Sequence, residues 1–94
     1  MKDQAGTPGS GPEDSRHGST RTVDRALALL VEVALNDGLP LGELARRASL
    51  APATALRLLR TLEAATFIER DGSGSYHGGG RLIEIALNMM SRSP

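Results

Sequence analysis

Apolar residues recur at helical spacing in the middle of the chain, between residues 41 and 62. The first half of this stretch places four of them on one face: Leu41, Leu44, Ala45 and Ala48. The second half does the same with Ala55, Leu58, Leu59 and Leu62. Ser49, Leu50 and Ala51 form a break that is too short for the two segments to lie apart. The pattern therefore predicts two helices joined by a tight turn, as in a helix-turn-helix.

The opposite faces of these two helices are basic. Arg46 and Arg47 lie on the outer side of the first helix, and Arg57 and Arg60 lie with Ala53 on the outer side of the second. The stretch holds four arginines against one acid, Glu43. Two interpretations are open at this point, an ordinary helical hairpin with solvated arginines or a helix whose outer face is free to enter a DNA groove.

The segment before this stretch predicts a helix that is apolar on nearly every side. Thr22 is the predicted N-cap, and Asn36-Asp37-Gly38 supplies the stop signal at the other end. From residue 26 to residue 35 the only polar side chain is Glu32. We assign the core face to six residues at helical spacing: Val23, Ala26, Leu27, Leu30, Val31 and Ala34. Leu29 and Val33 then form a second apolar edge outside the core.

A third helix is predicted over residues 52–65, with Pro52 in its first turn. The period then changes, because residues 67–70 and 75–77 flank the turn sequence Asp71-Gly72-Ser73-Gly74. This arrangement is typical of a β-hairpin with a four-residue turn.

Three glycines, residues 78–80, follow the hairpin, and we interpret them as a flexible joint. A last helix is predicted over residues 81–91. Its expected core face consists of Leu82, Ile85, Ala86, Met89 and Met90, so that both methionines are packing residues. Ile83 and Leu87 form a second apolar edge on this helix.

The order helix, helix, helix, hairpin, helix predicts the fold class. It is mostly α, a winged helix-turn-helix with a three-helix core, a β-hairpin wing and a C-terminal linker helix. The domain is expected over residues 20–91. Residues 1–19 have no Val, Leu, Ile or aromatic residue and are rich in Gly, Pro and Ser, so we expect a disordered tail there.

Composition excludes several other classes of function. The formal net charge is zero, so the overall charge does not indicate a nucleic-acid partner. The chain has no cysteine, which excludes a disulfide framework and a thiolate metal site. No nucleophile, base and orienting group occur together, so we expect no enzyme, no cofactor and no metal. The histidines are His17, in the predicted tail, and His77, which we expect to be a surface residue. The longest apolar run, residues 26–35, is too short to span a bilayer.

Eight segments together carry a more specific pattern. They are VDRALALL from residue 23, LGELARRA from residue 41, Thr54, RLL from residue 57, TLE from residue 61, FIERD from residue 67, Tyr76 and RLIE from residue 81. This pattern resembles the N-terminal DNA-binding domain of the IclR family of bacterial transcription regulators. Ala51-Pro52-Ala53 departs from the family, which often has Pro-Lys-Ser there. Ala65-Thr66 departs as well, since it replaces a usual Leu-Gly turn.

The resemblance implies sequence-specific binding of double-stranded DNA for transcription regulation. The recognition helix, about residues 52–65, would lie in the major groove, with the wing, residues 67–78, on the backbone. The expected DNA-binding residues are Arg21, Arg46, Arg47, Ala53, Thr54, Leu56, Arg57, Arg60, Arg70 and Ser73. Arg57 beside Thr54 would read a base, whereas Arg60 and Arg70 would hold phosphates. Leu56 either contacts a thymine methyl group or is simply an exposed leucine.

The resemblance also implies partners. Family members usually carry a larger C-terminal domain for a small-molecule effector, and this chain stops about where a linker helix would lead into it. We therefore expect no effector to bind within the chain. We expect a palindromic operator and a homodimer through the helices near residues 23–36 and 81–91, unless these helices cover each other within one chain. The expected location is the bacterial cytoplasm, on the nucleoid. The alternative function is a protein-interaction winged helix that modulates full-length regulators without binding DNA.

Overall fold

The computed structural model describes residues 20–92, so the predicted tail, residues 1–19, lies outside the described residues. In chain order the elements are α1 (Arg21–Leu35), β1 (Leu39–Pro40), α2 (Leu41–Arg47), α3 (Pro52–Ala64), β2 (Ile68–Arg70), β3 (Ser75–Gly78) and α4 (Gly80–Arg92). Three helices, a hairpin and a last helix follow one another in this order, which confirms the predicted mostly-α winged helix-turn-helix.

The bounds of α1 differ from the prediction at one end only. The helix begins at Arg21, so Thr22 is a helical residue and not the N-cap. At the other end the backbone N–H of Asn36 donates to the Glu32 carbonyl, and Gly38 takes a positive φ of 90°. The Gly38 N–H then donates to the Tyr76 carbonyl at 3.0 Å, which fixes the end of α1 to the sheet. The stop signal is thus confirmed.

The face of α1 that enters the core was assigned wrongly for four of its six residues, since only Ala26 and Leu30 are partly buried. Leu29 and Val33 are 0% and 1% exposed and lie in the centre of the core, whereas Leu27 is 53% exposed. Val23 and Val31, also assigned to the core, are exposed to a similar degree. Because the helix is apolar on nearly every side, its periodicity does not select one face. The choice is made by packing against α2 and α3.

The helix-turn-helix follows the sequence pattern closely. Five residues of its predicted inner faces are buried with Leu29 and Val33: Leu44, Ala45, Ala55, Leu58 and Leu59. Ile68 of β2 and Tyr76 of β3 complete this core. The wing therefore packs on the same side chains that hold α3, which fixes its placement beside that helix.

Both α2 and α3 end through a residue with left-handed backbone conformation. Ser49 has φ 57° and Thr66 has φ 61°, although neither is a glycine. Each of these residues lies within two nested backbone hydrogen bonds that close its helix. In α2, Leu50 N–H donates to the Ala45 carbonyl at 2.9 Å, outside the bond from Ser49 N–H to the Arg46 carbonyl. In α3, Phe67 N–H donates to the Leu62 carbonyl at 3.0 Å, outside the bond from Thr66 N–H to the Glu63 carbonyl. This geometry makes the tight turn before α3 and the sharp entry into β2.

The sheet has three antiparallel strands in the order β1-β3-β2. The hairpin β2–β3 was predicted, with Arg70 opposite Tyr76 in the register. The third strand, β1, comes from the short bridge before α2 and pairs Leu39 with Tyr76. The wing is therefore tied to the helical core along both edges of β3.

The predicted core face of α4 is wrong for all but one residue. Leu82 is partly buried, whereas Ile85, Ala86, Met89 and Met90 are exposed, as are Ile83 and Leu87. No residue of α4 is buried. The two methionines thus do not act as packing residues within residues 20–92. Beyond Leu82 the apolar side chains of the helix are exposed, although Ile83 and Ala86 line an open cleft with Val33 and Ala34 of α1.

The three glycines before α4 are not a flexible joint. Gly78 ends β3, Gly80 begins α4, and Gly79 between them is buried. Gly79 N–H donates to the Phe67 carbonyl at 2.9 Å, and Arg81 N–H donates to the Thr66 carbonyl at 2.9 Å. These two bonds fix the start of α4 to the segment that joins α3 and β2.

Candidate nucleic-acid interface

The outer face of α3 is the best-defined part of the candidate interface. Ala53, Arg57 and Arg60 are exposed there, at helical spacing, opposite the buried Ala55 and Leu59. Because three side chains of α3 lie in the core, the helix cannot rotate, and the face that carries its arginines keeps a fixed direction. Two further predicted contact residues, Thr54 and Leu56, are half-buried at the borders of this face.

Three of the predicted contact arginines carry an uncompensated charge. Within residues 20–92, none of Arg57, Arg60 and Arg70 forms an ion pair or a side-chain hydrogen bond. The first turn of α3 has no acidic residue, and its N-cap, Ala51, has no side chain that could bond the free N–H groups. The N-terminal turn of α3 therefore has free N–H groups and no acidic side chain to repel a phosphate, and Arg57 and Arg60 add positive charge further along the same helix.

Arg46 and Arg47 differ from these three because one carboxylate holds both. Arg46 forms a bidentate pair with Glu43, with its Nε 3.2 Å from Oε1. Arg47 donates from Nε to Glu43 Oε2 at 2.8 Å and also lies 3.5 Å from Glu32. The hydrogen bonds from the two guanidinium groups lower the pKa of Glu43 to about 2. Both arginines are exposed, but a phosphate would have to compete with Glu43 for them.

The turn of the wing is organised by Asp71. Its Oδ1 accepts hydrogen bonds from Ser73 N–H at 2.9 Å, from Ser75 N–H at 3.0 Å and from the Ser73 hydroxyl at 2.7 Å. Gly74 completes the turn with φ 92°. The hydrogen bonds from Ser73 and then His77 hold the pKa of Asp71 well below its usual range. The Ser73 hydroxyl, predicted to contact DNA, thus already donates its proton within the turn.

His77 lies in a polar cluster that the sequence analysis missed. Its side chain is 30% exposed, and each of its ring nitrogens faces a carboxylate, Asp37 on one side and Asp71 on the other. Asp71 lies six residues earlier in the same hairpin, but Asp37 is 40 residues away, which no local pattern indicates. The prediction of an ordinary surface histidine did not anticipate this cluster.

Arg21 was expected to precede the first helix, but it is the first residue of α1. It is exposed, and its side chain has no ion pair within the described range. The structure thus brings Arg57 and Arg60 together on α3 and places Arg70 on the strand that packs against that helix. It leaves Arg46 and Arg47 paired with acids. In the described part of the chain, no helix is long and apolar enough to cross a membrane.

The sequence of this chain is similar to those of known transcription regulators. The sequence model of the IclR helix-turn-helix domain matches residues 22–72, from the second residue of α1 to the turn of the wing. The HTH-type transcriptional regulator BhcR of Paracoccus denitrificans (strain Pd 1222) is 40% identical over 86 residues. This match covers 90% of the chain but 30% of BhcR, so the chain spans about a third of that relative's length.

Solved structures agree with the sequence match. An IclR family transcriptional regulator from Brucella abortus has a TM-score of 0.71 at 23% identity, over 90% of this chain and 34% of that one. An IclR transcriptional regulator from Alicyclobacillus acidocaldarius has a TM-score of 0.63 at 30% identity, over 73% of this chain and 29% of that one. The Brucella protein supports the fold alone. With more than half of the chain matched by the family model, the protein belongs to the IclR family and carries its helix-turn-helix domain.

Proposed function

We propose that this chain binds double-stranded DNA sequence-specifically and thereby regulates transcription on the bacterial nucleoid, in the cytoplasm. In this proposal α3 enters the major groove and the wing, residues 67–78, lies on the backbone. The observation that carries it is that Arg57 and Arg60, two arginines without an ion-pair partner within residues 20–92, lie on the outer face of a helix whose inner face is fixed in the core. An unpaired guanidinium on a rigid helix suits the bidentate acceptor pair of guanine and also phosphate oxygens.

The two arginines have different roles in this proposal. Arg57, near the middle of α3, reads a base, while Arg60, almost one turn later, holds a phosphate with Arg70 of the wing. Loss of a base contact costs affinity on one sequence, whereas loss of a phosphate contact weakens binding to all sequences alike. The substitutions Arg57→Ala and Arg60→Ala therefore distinguish the two roles.

The test begins with selection of a preferred site from a random duplex library by the unmodified chain. Arg57→Ala is expected to weaken binding to that site by about 1–3 kcal/mol and to leave binding to scrambled duplex nearly unchanged. Arg60→Ala should weaken both and reduce the slope of log K against log salt by about one. Arg92→Ala, at the last residue of α4, removes the same charge away from the interface and serves as the matched control.

Two results would contradict the proposal. Equal loss on selected and scrambled DNA by Arg57→Ala would remove its base-reading role. Failure of the unmodified chain to bind any duplex at low salt would favour the alternative, a winged helix that binds protein.

We also propose that the chain forms a homodimer through the exposed faces of α1 and α4, which suits a palindromic operator. The structure changes the residues of this contact, because Leu29 and Val33 are core. The exposed apolar side chains of α1 are Val23, Leu27, Val31 and Leu35, and those of α4 are Ile83, Ile85, Leu87, Met89 and Met90. A second copy would remove this large apolar surface from water, and its two-fold axis would pair two recognition helices.

Leu87→Glu tests the dimer. Leu87 is 60% exposed, so the substitution should leave the fold intact while it places a charge inside the contact. Asn88→Glu, at the next and equally solvent-facing position, is the matched control for charge. Sedimentation equilibrium should show a dimer that Leu87→Glu dissociates and Asn88→Glu does not. Retention of the dimer by Leu87→Glu, or a monomeric unmodified chain at all concentrations, would exclude this contact.

A further inference from the structure

The imidazole of His77 connects two parts of the molecule that are otherwise separate in sequence. Its Nδ1 lies 2.8 Å from Asp37 Oδ1, in the connection between α1 and β1. Its Nε2 lies 2.6 Å from Asp71 Oδ2, at the first position of the wing turn. A single ring thus spans the distance between the end of α1 and the tip of the wing.

The chemistry of this contact requires a proton. A neutral imidazole has one N–H donor and one lone pair, whereas an ionised carboxylate can only accept. Both contacts are hydrogen bonds only when His77 is an imidazolium, which donates from both nitrogens. The bonds to Asp71 and then to Asp37 raise the pKa of His77 above its ordinary value.

The other groups around His77 do not replace this arrangement. Glu69, its register partner on β2, adds a third negative charge across the sheet. On the other side of β3, strand β1 has only Leu39 and Pro40, which are uncharged. Gly38 lies close to the ring, since a Cβ there would make an ordinary 3.5 Å contact with the His77 Cε1 atom. The one other basic residue of these strands, Arg70, is the register partner of Tyr76 and forms no ion pair with Asp71 or Asp37, so the proton on His77 lies among acidic groups.

The same carboxylate that binds His77 also shapes the wing turn. Asp71 uses Oδ2 for the ring and Oδ1 for the N–H groups of Ser73 and Ser75. A movement of the ring therefore changes the anchor of the turn itself. The opposite end is fixed, since Asp37 follows Asn36, the C-cap of α1, and precedes Gly38, whose hydrogen bond to Tyr76 ties this connection to β3.

We propose that His77 is a positioning residue for the wing, whose imidazolium holds the Asp71 turn against Asp37 and so sets how the wing meets the DNA backbone. This inference rests on the proposed DNA-binding function. The sign of its pH dependence follows from the raised pKa of His77. The contact is complete below the ordinary value of about 6.5 and is lost as the pH rises through the higher value of the folded chain.

The first experiment needs no DNA. The ring of His77 is titrated by NMR in the complete chain, with His17→Gln to assign the other histidine. We expect a midpoint above 6.5, and we expect the amide shifts of Ser73 and Ser75 to change with the same midpoint. Asp37→Asn should lower that midpoint and speed amide exchange in the wing turn. A midpoint at or below 6.5, or turn amides that ignore it, would overturn the proposal.

The second experiment measures affinity for duplex DNA against pH. Asp37→Asn removes a negative charge, which by electrostatics alone strengthens binding to DNA. Release of the wing predicts the opposite, a loss of about twofold to fivefold near neutral pH, the scale of a partly exposed charged pair. Asp24→Asn, an exposed acid in the first turn of α1, is the matched control and should strengthen binding slightly.

His77→Gln tests whether the ring of His77 is the group that titrates. Glutamine keeps hydrogen-bonding groups but cannot titrate, so the pH dependence near neutrality should disappear from both the affinity and the turn amides. A gain of affinity for Asp37→Asn equal to that for Asp24→Asn would mean that His77 does not position the wing. If the unmodified chain binds no DNA while the NMR result holds, the DNA-binding function fails and the contact between His77 and its two acids stands.

Discussion

Replacement of Gly79 by alanine should destabilise the domain strongly, although Gly79 is one of three adjacent glycines. A Cβ at this position would lie 2.5 Å from the Thr66 carbonyl oxygen and 2.9 Å from the Ile68 nitrogen. Both are backbone atoms, so neither can move without displacing the segment between α3 and β2. Any shift would also bend the hydrogen bond from Gly79 N–H to the Phe67 carbonyl.

The magnitude follows from these contacts. Overpacking of this kind costs about 1–3 kcal/mol, and a weakened buried hydrogen bond adds about 1 kcal/mol. We therefore expect Gly79→Ala to lose about 2–4 kcal/mol. A domain with the size of the described region typically has about 4–11 kcal/mol of stability in total. The variant should unfold at a much lower urea concentration, and α4 should lose its fixed direction.

Gly78→Ala and Gly80→Ala are the matched controls. A Cβ at Gly78 makes only an ordinary 3.5 Å contact with Leu82, and a Cβ at Gly80 meets nothing within 4 Å. Since the chain has no tryptophan, urea unfolding is followed by helical circular dichroism. If all three variants unfold at the same urea concentration, then the close contact at Gly79 does not constrain the domain and the reasoning is wrong.

Two further predictions concern the core and the paired arginines. Leu29→Ala should lower the free energy of unfolding, measured in urea, by about 2–5 kcal/mol because it leaves a cavity in the centre of the core. Leu27→Ala, on the exposed side of the same helix, should lower it by less than about 1 kcal/mol. Similar losses for the two variants would contradict the observed core face. Glu43→Gln should release Arg46 and leave Arg47 with only its 3.5 Å contact to Glu32, so that binding to random duplex becomes tighter and more salt-dependent. Unchanged binding would mean that neither arginine reaches DNA. Because the pKa of Glu43 is lowered to about 2, its ion pairs should persist above pH 4.5 and be lost as the pH falls through the lower value.

The helix-turn-helix and the wing could be predicted because their local signals agree. In α3 the apolar residues and the arginines lie on opposite sides of the helix, and Pro52 marks its start. In the wing, Asp71 and Gly74 are the residue types that this turn requires. Where local propensity and periodicity indicate the same element, tertiary packing does not have to select between alternative structures.

The core faces of α1 and α4 could not be predicted for the opposite reason. With Glu32 as the only polar residue in ten, α1 offers several apolar faces, and only the placement of α2 and α3 selects Leu29 and Val33. In α4 a clear amphipathic pattern exists, but no part of residues 20–79 covers it beyond Leu82. A pattern shows which side chains avoid water, and it does not show whether their partner lies in the same chain.

The candidate site was predictable to different depths. The outer face of α3 follows directly from its spacing. The pairing of Arg46 and Arg47 could have been found, because Glu43 precedes them by three and four residues. The contact between His77 and Asp37 could not, since it depends on how the sheet closes against the end of α1.

The exposed course of α4 has a mechanical consequence. The helix is fixed to the domain only at its first turn, and its 13 residues span about 20 Å from Gly80 to the far end. The joint at Gly79 and Thr66 therefore sets the direction of the whole helix, and any change of angle there is amplified along its length. A rotation of about 10° at this joint moves the far end of the helix by about 3–4 Å. If two copies of the chain contact each other through the far ends of α4, a rotation of this size at the joint alters the separation of the two recognition helices by a distance comparable with the rise of one base pair.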